Sequence, residues 1–209
     1  LMTDAATKGF AVSKSVTESW KKWQKKLVKE YRHSGLADLN ELQQAYSLYV
    51  LALAGSPEIG AMNRLKESAN LSDQAKWMLA SAYALSGKKS IAKDMMTDIS
   101  TDISSYPEDD RTFGSIPRDK ALALEAYVLA GETAKALDVA DQVAELIDLY
   151  GYTTQTTAFA SVALDRLSQT VSSQGLQVEI SQETTSSGKT AKSLYSCSLD
   201  ADYGKAGIR

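Results

Sequence analysis

Apolar residues recur with a helical period from about residue 13 to about residue 170. Val16, Trp20, Trp23, Leu27 and Tyr31 return at steps of four, three, four and four, while Lys21, Lys22, Lys25, Lys26, Lys29 and Arg32 take the remaining surface. This predicts an amphipathic helix with its apolar stripe on a core. Leu42, Ala45, Tyr46, Tyr49 and Leu53 mark a second helix, with Gly55 placed to end it as C′. Ser56-Pro57-Glu58 predicts the next start: Ser as N-cap, Pro at N1 and an acid near the positive dipole end. Ser72-Asp73 opens another, in which Ala75, Met78, Leu79, Ala82 and Tyr83 share a face before Gly87. Ala92, Met95, Met96, Ile99 and Ile103 continue the pattern. A polar break runs from Ser104 to Pro117, after which Ala121, Leu124 and Val128 resume the helix up to Gly131. Ala136, Ala140, Val143, Ala144 and Ile147 carry the return as far as Gly151. Thr153-Thr154 can cap a last helix with Phe159, Val162, Ala163 and Leu167 inward.

The period then changes. Leu176, Val178 and Ile180 alternate with polar residues, as do Tyr195, Cys197 and Leu199, and Thr184–Gly188 lies between them. A short C-terminal β-hairpin is expected, or two strands of a neighbouring module. Upstream, Leu53-Ala54-Gly55, Leu85-Ser86-Gly87 and Leu129-Ala130-Gly131 repeat one plan of helix, stop and return helix. Stacked helical hairpins follow from that plan, as a solenoid or as a closed toroid. The first two glycines lie 32 residues apart and the second two 44. A tetratricopeptide array needs a spacing near 34, so the second interval favours the toroid.

Composition narrows the function classes. The 209 residues are 44% hydrophobic and 23% charged, in keeping with a packed domain and against a disordered chain. A formal net charge of −3 makes a phosphate-backbone partner a poor expectation. One Cys excludes an internal disulfide and any multi-Cys zinc site, and one His removes most His-based catalysis. No run approaches the roughly 18 apolar residues of a membrane span. The first residues carry neither a signal core nor an initiator Met, which reads as a piece of a longer chain.

Candidate chemistry is sparse. His33 has no second His and no nearby Cys, and reads as a surface histidine at a helix end. Cys197, in Ser-Cys-Ser-Leu, reads as a half-buried structural thiol. The Trp-Lys-Lys-Trp helix admits a membrane-surface reading, but both tryptophans fall on the stripe, so a core-facing helix with hydrated lysines is preferred. Glu108-Asp109-Asp110 lacks the Gly and closing Glu of an EF-hand loop. Asp119 and Glu125 are carboxylates that an enzyme of the toroid type could use in a central cavity, yet six positions on a helix send them to different faces. The residues therefore supply no catalytic, cofactor-binding or metal site, and the expectation is a chain that is not an enzyme and carries no cofactor.

The run Gln44-Ala45-Tyr46-Ser47-Leu48-Tyr49-Val50-Leu51-Ala52-Leu53-Ala54-Gly55, with Gly60-Ala61-Met62-Asn63-Arg64-Leu65 after it, resembles the bacterial alpha-2-macroglobulin family. Trp77–Leu85, Arg118–Ala121 and Thr153–Ala160 resemble its later hairpins. The similarity spans about residues 1–170 and is to the family's helical thioester-type domain; 175–209 would be strands of an incomplete β-domain adjoining it.

The resemblance implies an all-α fold of stacked helical hairpins forming a partial α/α-toroid. It implies a non-catalytic part of a protease-trapping endopeptidase inhibitor of the periplasm, cell envelope or extracellular space. Its partners would be proteases, met through the full-length parent, and neighbouring domains of the same chain, with no nucleic acid and no direct membrane contact. Active members of the family carry a Cys-Leu-Glu-Gln thioester. Here Cys197 is followed by Ser-Leu-Asp, so no thioester residue carries over. A helical-repeat scaffold that binds peptides or proteins is the competing expectation.

Overall fold

Gly55, Gly87 and Gly131 adopt left-handed backbone, with φ of 65°, 75° and 80°. Each closes a helix by the same pair of bonds. Gly55 N–H donates to Ala52 O and Ser56 N–H to Leu51 O; Gly87 and Lys88 repeat this on Ala84 and Tyr83, and Gly131 and Glu132 on Val128 and Tyr127. This is the Schellman arrangement, which needs a residue without Cβ strain at C′. The three stops expected from sequence are one motif used three times.

The computed structural model describes residues 5–6, 9–31, 37–68, 71–103, 114–150, 153–172, 176–186 and 189–199. Side chains are described for the same residues except 37–40, 150, 172 and the strands. The chain is mostly helical: α1 (Lys14–Glu30), α2 (Ala37–Leu53), α3 (Ile59–Lys66), α4 (Asp73–Leu85), α5 (Lys89–Thr97), α6 (Ile116–Ala130), α7 (Thr133–Tyr150) and α8 (Thr154–Ser172), then β1 (Leu176–Ser186) and β2 (Lys189–Leu199). It divides into two compact units at Leu164/Asp165, inside α8.

In the first unit α2 packs on α4 and α4 on α6, while α3 and α5 lie against α4 and α7 against α6. The burial pattern follows from that order. Ala75 and Trp77–Ala84 of α4 are buried, as are Ile116–Val128 and Ala130 of α6. Helices surrounded in this way bury their whole circumference, so the polar side chains that α6 carries there, Arg118, Asp119, Lys120 and Glu125, need partners inside the stack. By contrast α3 buries Ala61, Met62 and Leu65, α5 buries Ala92 and Met96, and α7 buries Ala136, Val139 and Val143, one face each. Trp77 meets Tyr127 edge-on at 5.3 Å between centroids, a favoured aromatic geometry across α4 and α6.

Several local expectations are corrected. The stripe of α1 does not face the core: Val16, Trp23 and Leu27 are 53%, 57% and 42% exposed, Trp20 is half-buried, and the buried residues are Gln24 and Val28. At 100° per residue the line through Gln24 and Val28 lies about 80° from the centre of the stripe. Polar bonds set this rotation. Gln44 Nε2 donates to Val28 O at 3.0 Å, Arg64 Nη2 donates to Lys29 O at 3.3 Å, and Glu58 receives Lys29 and Lys25 at 3.2 and 3.5 Å.

The helix after Gly55 begins at Ile59 rather than at Pro57, because Ser56 N–H closes the preceding helix and Glu58 is turned to the two lysines. The helix carrying Met95 and Met96 ends at Thr97, so Ile99 is buried from the following segment. Pro117 belongs to the first turn of α6, whose N-cap is Ser115, instead of ending the polar break. Within α2, Leu48 and Leu51 enter the core and Tyr46 stays outside. Val162 and Ala144 are likewise on the surface.

In the second unit, β1 and β2 pair antiparallel with Leu176 opposite Leu199, Val178 opposite Cys197 and Ile180 opposite Tyr195. The alternating apolar positions of the two segments are thus cross-strand partners, which share a face of the ribbon.

Candidate functional site

The two carboxylates open to an enzymatic reading belong to α6. Its first turn is fixed by Ser115, whose Oγ accepts from Arg118 N at 3.3 Å and pairs with Thr156 Oγ1 at 2.9 Å. Thr156 N in turn donates to Thr153 Oγ1 at 3.1 Å, the cap of α8. This anchored turn carries Arg118, Asp119 and Lys120 inward, all three buried. Asp119 is 1% exposed; its Oδ1 receives Arg118 Nε and Nη2 at 2.8 and 2.6 Å, and its Oδ2 receives Gln74 Nε2 at 2.8 Å. Lys120 Nζ donates to Thr101 O and, at 2.5 Å, to Gln142 Oε1. Burial lowers the Lys120 pKa, with Asp102 acting against that shift.

Glu125 lies elsewhere on the helix. It is 2% exposed and accepts from the Tyr49 hydroxyl at 2.6 Å. Asp119 therefore meets α4 through Gln74, and Glu125 meets α2. Each carboxyl is buried and serves as a pin between helices rather than facing solvent.

The solvent-open features lie around α1. A cleft of about 380 Å³ is lined by Val28, Tyr31, Gln44, Ala61, Leu65 and Ser68, with Lys29 and Arg64 also in its wall. Burial raises the Tyr31 pKa, and the nearby Glu41 adds to it. Ser68 Oγ donates to Glu41 Oε1 at 2.5 Å beside this cleft. Along the outer side of α1 runs a shallow groove lined by Lys22, Lys25, Lys26, Lys29 and Glu30.

Among the described residues no group of three or more His, Cys, Asp or Glu side chains could hold a metal, and no helix is long and apolar enough to cross a membrane. His33 lies outside the described residues, and so does the Glu108–Asp110 stretch. Cys197 is placed only as a backbone position in β2.

One surface is absent from the apolar pattern read above. Asp138, Asp141, Glu145 and Asp148 sit on the exposed side of α7, at steps of three, four and three. The same spacing rule that finds an apolar stripe finds this acidic one. A reading directed at the inward residues passes over it.

No family model, curated protein or solved structure matches the chain.

Proposed function

We propose that this chain is a non-catalytic helical module of a protease-trapping inhibitor of the alpha-2-macroglobulin type, with its hairpins arranged as part of an α/α-toroid. One observation carries the reading. Within the resembling run 44–65, the polar side chains Gln44, Tyr49, Asn63 and Arg64 all bond to another helix: to Val28 O, Glu125, Tyr83 and Lys29 O. The apolar members Leu48, Leu51, Met62 and Leu65 are core residues. The run thus supplies both the packing and the polar cross-links of a multi-helix stack, as a family fold requires. The alternation of surrounded helices (α4, α6) with one-faced ones (α3, α5, α7) supports ring-like stacking of hairpins.

On this reading β1 and β2 belong to an adjoining β-domain, the parent works in the periplasm or envelope, and proteases are met by the assembled parent. No thioester operates within these residues. The helical-repeat scaffold draws on the same alternation and remains the second reading, favoured by the exposed, charged helices α1 and α7.

Trapping has a physical signature: an enclosed protease still cleaves small peptides but cannot reach a protein substrate. The parent protein is incubated with a panel of endopeptidases, and both activities are followed. Loss of protein hydrolysis with retention of small-peptide hydrolysis is the expected result. Retention of both, or loss of both, overturns the proposal.

A further inference from the structure

We propose that the exposed faces of α1 and α7 dock on one another between two copies of this chain, head to tail. The inference rests on charge and shape at two surfaces and is independent of the trapping reading.

The first surface is basic. Helix α1 carries six lysines and two glutamates. On its solvent side Lys22, Lys26 and Lys29 occupy an arc of about 60°, and Trp23, Val16 and Leu27 begin about 60° further round. The exposed indole of Trp23 and its two aliphatic neighbours form an apolar border beside a cationic strip. The rotation that turns the stripe away from the core therefore leaves it joined to the lysine face.

The second surface is its counterpart. Helix α7 carries four acids and one lysine. Asp138, Asp141, Glu145 and Asp148 fall within an arc of about 80°, with Leu137 and Leu149 just outside it on either side. Both leucines are exposed. The single lysine is engaged elsewhere: Lys135 lies 3.8 Å from Glu132 and 5.6 Å from the Tyr127 ring centroid. Among the described residues no cation pairs with any of the four acids, so like charges stand at i,i+3 and i,i+4 without compensation.

The helices have 17 and 18 residues, about 25 and 27 Å long, so either can run the length of the other. Opposed, they place lysines against carboxylates and Trp23 against a leucine border. Two α1 faces repel one another, as do two α7 faces, which removes the like-on-like pairings. What remains is α1 on α7: after one such contact one copy keeps a free α7 face and the other a free α1 face, so association continues beyond two unless these two faces close on each other. Screening by salt must weaken it.

The test uses the intact chain in sedimentation velocity over a range of concentrations, at low and high ionic strength. Wild type should rise above the monomer mass with concentration at low salt and fall back at high salt. Lys22→Glu/Lys26→Glu and Asp141→Lys/Glu145→Lys should each be monomeric with unchanged far-ultraviolet circular dichroism, since all four positions are exposed. Mixed, the two variants retain one good face each and should form a complex that stops at twice the chain mass. A chain with all four reversals should associate again. A monomeric wild type at every concentration overturns the proposal, and so does association unaffected by either pair of reversals. Monomers that bind phosphatidylglycerol vesicles through Trp23 overturn it in favour of a lipid surface.

Discussion

The Tyr49 hydroxyl donates to Glu125 Oε1 at 2.6 Å, which ties α2 to α6 across 76 positions of sequence. Both side chains are buried, so water cannot replace the bond when one partner is removed. Tyr49→Phe should cost about 1–3 kcal/mol in chemical denaturation, because the carboxyl loses this donor in a dry setting. Combined with Glu125→Gln in a double-mutant cycle, the pair should be non-additive. Simple additivity would mean that the contact contributes little.

Asp119 predicts a larger loss. It receives two nitrogens of Arg118, and the pair is 6% and 1% exposed at the side chains. Asp119→Ala leaves a guanidinium inside the helix stack without this partner, at a cost of about 3–5 kcal/mol. Asp141→Ala, on the solvent face of α7, should change the denaturant midpoint by no more than about 0.5 kcal/mol. Equal midpoints for the two variants would contradict the burial assigned to Asp119.

The glycine stops can be tested against a glycine inside a helix. Gly131 has φ of 80° and an added Cβ would meet only Lys89 Nζ, at 3.8 Å, so the strain of Gly131→Ala lies in the backbone. The expected loss is about 1–2 kcal/mol. Gly60 lies within α3 with open space around its Cβ position apart from Arg64 Nη1 at 3.8 Å, and Gly60→Ala should stabilise by about 0.5–1 kcal/mol. Thermal midpoints moving in the same direction would argue against the assigned backbone at Gly131.

Helix stops and the innermost helices were legible in sequence because local chemistry decides them. Gly55, Gly87 and Gly131 need no tertiary information, and Ser72 caps α4 as its sequence suggests, accepting from Ala75 N at 3.3 Å. The orientation of α1 was not legible. Its strongest periodic signal, Val16–Trp20–Trp23–Leu27, lost to bonds from Gln44, Arg64 and Glu58, which lie 16 to 35 positions away and carry no mark in the local pattern. Asp119 and Glu125 could be picked out as carboxylates, and their separation on the helix was readable. Their partners Gln74 and Tyr49 were not, since only packing brings α4 and α2 to α6.

Trp23 and Trp77 separate the two kinds of tryptophan that this rotation creates. Trp77 is 1% exposed and meets Tyr127 edge-on, so Trp77→Ala should cost about 3–5 kcal/mol. Trp23 is 57% exposed, and Trp23→Ala should shift the midpoint by about 0.5 kcal/mol or less. Iodide should quench Trp23 and spare Trp77, read from the single-tryptophan difference spectra. A large stability loss at Trp23 would restore the core-facing orientation of the stripe.

Tyr83 makes stability depend on alkaline pH. Its ring is fully buried and its hydroxyl donates to Asn63 Oδ1 at 2.7 Å. Burial, with the nearby Glu67 adding to it, pushes its pKa from 10.0 up to about 12. A folded pKa above the unfolded one means that the unfolded chain releases the proton first. The stability held by the neutral phenol is thus complete below pH 10 and is lost as pH rises towards 12. A rise from 10.0 to about 12 corresponds to a loss on the order of 2–3 kcal/mol. Tyr31 and Tyr127 are shifted in the same direction and steepen the wild-type decline. Tyr83→Phe should be less stable than wild type at neutral pH, through loss of the bond to Asn63, yet should decline less steeply above pH 10. Urea midpoints measured at steps from pH 8 to 12 should therefore converge for the two proteins. Parallel curves would show that the Tyr83 phenol titrates no later in the folded chain than in the unfolded one.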